Sequence, residues 1–184
     1  MSPTLENLIH GLDGRLTWKN AALAFGAVVL SNAVMAGYIL PNIQARRPAA
    51  LESDFLVMID REPLLSAAEV YRIFDLYTPD ILGLVRLLYA LDFVVPLALG
   101  FFLAVLFAKL LRYLGVRSGG WRALLLLPFA APLFDYTENM LALVLTSRYQ
   151  AGEVFPAVAR VASLATAGKF VCLGLTGLTL VVLL

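Results

Sequence analysis

Asp135, Glu138 and Asn139 stand within one helical turn in the segment FDYTENM, with oily sequence on both sides. Three more groups complete the unusual set: Asp92, Lys169 and, beside the acids, Tyr136. Carboxylates and a lysine inside an apolar stretch can do three kinds of chemistry. A protonated carboxylic acid can donate a proton, an ionised one can stabilise a positive charge, and a lysine can set the charge of both. Asp92, Asp135 and Glu138 are therefore the candidate catalytic acids. Tyr89, Tyr136, Asn139, Ser163, Thr166 and Lys169 are the candidate ligand-binding groups.

Spacing supports one shared site. Asp135, Glu138 and Asn139 are at i, i+3 and i+4, which is one helix face. Tyr89, Asp92 and Pro96 are at i, i+3 and i+7, again one face. Arg160, Ser163, Thr166 and Lys169 step by three and suggest a polar stripe. Such faces are expected to turn inward and line one cavity, open if anywhere to the outside.

The elements that must hold these groups follow from composition. The 184 residues are 61% hydrophobic, and the mean hydropathy is +0.85. Soluble domains are about half apolar, so this chain has too much greasy surface for water. Four apolar stretches, about 21–40, 81–111, 121–146 and 157–184, match the ~20 residues that cross a bilayer. The first has a signal-peptide-like end at Val34-Met35-Ala36, but its apolar run continues to Leu40 and reads as a true span. It is expected to end before Pro41. Pro96 is placed to kink the second span, which is longer than a bilayer requires. The expected fold is all-α: an integral membrane four-helix bundle, one domain over 1–184, with a short amphipathic helix in a long outer loop at about 41–80.

That loop helix reads as 66–78. Ser66 is an N-cap with Glu69 three residues on, a capping-box pattern, and Pro79 stops it. Residues 1–19 carry Leu5, Leu8, Ile9, Leu12 and Leu16 at roughly helical spacing, so an amphipathic surface helix is a second expectation. Basic residues set orientation. Lys109, Arg112, Arg117 and Arg122 flank one turn, and Arg15 and Lys19 precede the first span. Both termini are expected to be cytoplasmic, in a multi-pass protein of the cell membrane. Trp18 and Trp121 fit anchors at that interface.

Depth brings the charges together. At 1.5 Å per residue, Asp92 and Glu138 lie about 12 Å from the outer end of their spans. Asp135 lies about 16 Å down and Lys169 about 18 Å. All four fall in one layer of the outer half. A charge at the bilayer centre costs ~3 kcal/mol on insertion scales, so the four must meet one another, water or a ligand.

Several chemistries are excluded. His10 is the only histidine and lies in the N-terminal segment, which argues against bis-His haem, His-bound zinc and a His-based triad. Cys172 is the only cysteine and reads as a packing residue, so there is no internal disulfide or CxxC pair. A net charge of +1 offers no nucleic-acid surface. No metal ligand set is assigned: the carboxylates could hold a hard cation, but Lys169 shares their layer. No cofactor is named by any motif. Phe101, Phe102 and Phe107 read as core or lipid-facing rather than a cofactor box.

Three functions remain. The first is binding or transforming a hydrophobic, lipid-like molecule, such as a sterol, isoprenoid or quinone-like ligand carrying an amine or a developing carbocation. The second is an accessory subunit of a larger membrane complex, docking through 66–78. The third is ion or proton transport, weakened because GFFLAVLF and GLTGLTLVVLL carry no charge. Partners would be membrane lipids, with a larger complex or a homo-oligomer open. A purely architectural network competes with all three, Lys169 pairing with an acid to fix helix register.

In its long first outer loop and the acid-then-proline pattern Asp92 and Pro96, the layout resembles the EXPERA family of four-span sterol isomerase and sigma-2-receptor-type proteins. That likeness implies a four-span fold and a sterol-like ligand. DYTEN and Lys169 depart from the shared pattern.

Overall fold

A computed structural model of the chain describes residues 11, 15–46, 62–116, 121 and 123–184. Most of the expected helix in 1–19 and most charges of the long connection fall outside them. The described residues form helices and turns, with no strand.

The first helix, α1 (Trp18–Val34), is capped by Thr17, whose side chain accepts from the Asn20 N–H. It does not stop before Pro41 as its sequence suggests. In α geometry the Pro41 ring would meet the carbonyl four residues back. The chain widens instead into a π segment, Met35–Ile39, in which the Leu40 N–H reaches the Met35 carbonyl. Helix α2 (Leu40–Ala45) then continues the run.

The loop helix forms as α3 (Ala67–Asp75), with both halves of the capping box present. The Ser66 N–H donates to Glu69 Oε2 at 2.7 Å, and the Glu69 N–H donates to Ser66 Oγ at 3.3 Å. The Ser66 bonds hold the Glu69 carboxyl below its usual range. Pro79 does not end α3. It opens the next helix, α4 (Pro79–Leu91), where its missing N–H is no loss.

The second span is broken. Asp92 caps α4, and α5 (Val94–Tyr113) begins two residues later. Pro96 lacks the N–H that would bond the Asp92 carbonyl, so the break falls one turn before the proline. A 3-10 segment, Ala123–Phe129, leads into α6 (Ala130–Gln150). An α-helix was expected from about 121. Pro128 lies inside the segment, and in α geometry its ring would clash with the Leu124 carbonyl. The last helix is α7 (Pro156–Leu183).

Three helical runs, Trp18–Ala45, Pro79–Tyr113 and Pro156–Leu183, are each long and apolar enough to cross a membrane. With α6 they make an up-down-up-down four-helix bundle. Large apolar side chains point outward along the runs, among them Phe25, Leu30, Leu164, Val171 and Leu178. That surface suits hydrocarbon rather than water.

Two apolar clusters fill the interior. At the end that carries α3, the cluster includes Ile39, Phe74, Ile81, Val85, Tyr89 and Leu145. At the opposite end it includes Leu16, Ala21, Val105, Phe107 and Leu125. The polar residues of α6 and α7 lie between them.

Candidate functional site

The two helices that build the site pack closely. The face that α6 buries includes Asp135, Glu138, Asn139, Ala142, Leu145 and Thr146. Against it α7 sets Ala159, Ala162, Ser163, Ala165, Thr166 and Lys169. Small residues let the backbones approach, as is usual for helices in lipid. Asp92 joins from the break between α4 and α5.

Lys169 is the hub. Its Nζ lies 2.9 Å from Asp135 Oδ1 and 2.7 Å from Glu138 Oε2. Thr166 Oγ1 donates to Glu138 Oε1. Asn139 Nδ2 donates to Asp92 Oδ2 at 3.2 Å and to Asp135 Oδ2 at 3.1 Å. One amide nitrogen therefore joins carboxylates from two different helical runs. Glu138 and Asn139 are fully buried, and Asp135 and Lys169 nearly so. The layer is richer in acceptors than in donors. It has three carboxylates to one ammonium, and the buried Asn139 Oδ1 has no hydrogen-bond partner.

A cavity of about 220 Å³ begins at this layer. Asp92, Asp135 and Lys169 form its polar end. From there it runs toward the opposite end of the bundle between Val95, Leu99 and Leu103 of α5 and Phe170 and Leu173 of α7. Pro128, Ala131 and Pro132 form its floor. The exposed members of its wall are Leu99, Phe170 and Leu173, all in mid-helix. Its mouth therefore lies between α5 and α7, facing sideways. An opening toward the α3 end was expected. The apolar cluster around Leu88, Tyr89, Ala142 and Ala162 closes that route.

The chain matches no family model, no curated protein and no solved structure. The layout likeness to EXPERA proteins thus has no match behind it. The site has to be read from its own geometry.

Of the nine candidate residues, Asp92, Asp135 and Lys169 line the cavity. Glu138, Asn139 and Thr166 stand behind them and hold them. Ser163 is buried one turn from Thr166. Tyr89 belongs to the apolar cluster near α3. Tyr136 faces away from α7 and stacks on Phe93, with centroids 5.3 Å apart. Arg160 is exposed and does not extend the Ser163–Thr166–Lys169 stripe. Each step of three falls about 60° short of a full turn, so three steps carry Arg160 to the far side from Lys169.

The apolar wall was not anticipated. Gly100 was the available signal. A Cβ there would sit 2.8 Å from the Pro128 carbonyl oxygen and 2.9 Å from Pro132 Cγ. Glycine at 100 lets α5 touch the proline turn, and that contact forms the cavity floor.

Proposed function

We propose that this chain is a multi-pass membrane protein that binds, or binds and transforms, a hydrophobic lipid-like molecule with a positively charged head. One observation carries the reading: a single cavity has an acidic end and an otherwise apolar length. Amphiphiles have that shape. The head would meet Asp92 and Asp135, and the tail would lie along Val95, Leu99, Leu103 and Leu173. Its modest volume, against the ~300–1,000 Å³ of typical ligand pockets, fits a ligand whose tail extends through the side opening. Three carboxylates to one ammonium leave surplus negative charge at this end, which would attract a cation. Asp92 and Asp135 are then the groups placed to accept hydrogen bonds from the head. Glu138 sets the position of Lys169.

Four membrane crossings, with both termini cytoplasmic, accompany the proposal. Lys109 and Arg112 gather at the end opposite α3, as the positive-inside rule asks. The apolar face of α3 is spent on the bundle through Val70, Ile73 and Phe74, so that face is not left open to a docking partner.

The test compares dodecylamine, dodecanol and dodecanoate in thermal unfolding of the purified protein in lipid nanodiscs. The amine alone should raise the melting temperature, and Asp135→Asn should remove the effect. Equal responses to all three would sink the reading.

A further inference from the structure

A second hollow, of about 380 Å³, lies between α5 and α7 at the end opposite α3. Its walls are Leu106, Leu110, Leu180 and Leu184, with Lys109 and Tyr113 at the rim. Lys109 Nζ stands 5.8 Å from the centre of the Trp18 ring. No carboxylate among the described residues pairs with it. Arg15, Lys19 and Arg112 share this end of the bundle, and the described residues there, 15–24, 105–116, 121, 123–127 and 178–184, include no Asp or Glu. Exposed Trp18, Trp121 and Tyr113 ring the same level. Such side chains settle where hydrocarbon meets head groups.

Each part of this hollow asks for a different part of one molecule. The leucine walls ask for a hydrocarbon chain. The single ammonium at the rim asks for one negative charge at head-group depth. The aromatic level places that charge at the membrane surface. We propose that the hollow holds one acyl chain of an anionic phospholipid, with its phosphate on Lys109. The site is separate from the carboxylate layer and does not depend on it. A free phosphate is a poorer match, because one lysine and four leucines offer it little beyond a point charge.

The experiment is native mass spectrometry of the full chain in detergent. Phosphatidylglycerol and phosphatidylcholine with the same acyl chains are supplied together in equal amounts. A lysine near the surface is worth about fivefold in anionic-lipid affinity, so the wild type should retain phosphatidylglycerol about fivefold over phosphatidylcholine. Lys109→Gln should abolish the preference. Lys19→Gln, which removes the same charge nearby, should keep it. Leu106→Trp, which fills the hollow, should reduce retention of both lipids. Glycerophosphate at matched concentration should displace neither. Equal retention of the two lipids by the wild type overturns the proposal. So does an equal effect of Lys19→Gln, which would mean diffuse attraction. Displacement by glycerophosphate alone would mean a phosphate site without a chain, and also overturns it.

Discussion

Lys169 Nζ bridges Asp135 and Glu138, 2.9 Å from one carboxylate and 2.7 Å from the other. One ammonium thus holds two acids a helical turn apart on α6, and binds α7 to them. Removing one partner of a buried ion pair leaves a charge without compensation and costs ~3–5 kcal/mol. Lys169→Met should therefore destabilise the protein by about that amount. The triple variant Asp135→Leu, Glu138→Leu, Lys169→Met should recover most of it, since apolar replacement of a whole buried network is often neutral. Chemical unfolding in detergent reads both. A triple variant no more stable than the single one would contradict the assignment.

Asn139 joins Asp92 to Asp135 through one nitrogen. Asn139→Leu keeps the branched outline of the side chain and removes that donor. The expected loss is ~1–3 kcal/mol, the range for leaving buried polar groups unsatisfied. In an Asp92→Leu background the same change should cost measurably less, because the two residues are coupled. A double-mutant cycle with no coupling would place Asp92 outside the network.

Glycines separate by what surrounds them. Gly100→Ala pushes a methyl against the Pro128 backbone and the Pro132 ring, neither of which swings away. It should cost ~1–3 kcal/mol, the usual range for overpacking. Gly168→Ala meets the Phe134 ring, which is 41% exposed and able to turn, so it should cost less. Gly83 has open space around it. Gly83→Ala should leave stability unchanged or gain ~0.4–1 kcal/mol through the unfolded chain. Melting temperatures should rank the three in that order.

The loop helix is tied down by Tyr149, whose hydroxyl donates to the Asp75 carboxylate. That bond pushes the Tyr149 phenol up to about 12. A folded value above the unfolded value of about 10 stabilises the fold below pH 10. The contribution fades as pH rises through the folded value. Tyr149→Phe should therefore melt below the wild type at neutral pH, and the gap should close at strongly alkaline pH. A gap that persists or widens there would assign the effect to packing rather than to this hydrogen bond.

Much of the bundle was legible in residue patterns. Apolar runs are long-range signals that tolerate local error, so a helical run covers each of the four stretches, although the third is α-helical only from Ala130. The Ser66–Glu69 box is a local code and formed as written. Asp135, Glu138 and Asn139, at i, i+3 and i+4 of α6, turned to one face because that spacing places them together on a helix. Local backbone detail was harder. Pro41 looked like a stop, but the helix widens into a π segment just before it and the Leu40 N–H stays bonded to the Met35 carbonyl. The third stretch read as helical from about 121, but Pro128 lies within it and the chain there is a 3-10 segment. The direction of the cavity was not legible, since it depends on how far α5 and α7 separate below Lys169. No residue pattern in one helix encodes that gap.

The central claim is that the Asp92–Asp135–Lys169 layer is a head-group site. The most direct measurement is native mass spectrometry of the protein gently extracted from its source membrane, wild type beside Asp92→Asn and Asp135→Asn. The account predicts a reproducible extra mass of small-lipid size on the wild type, reduced at least tenfold in both variants while they remain folded. A wild type that carries no such mass, or variants that keep it undiminished, would contradict the account and return these residues to architecture.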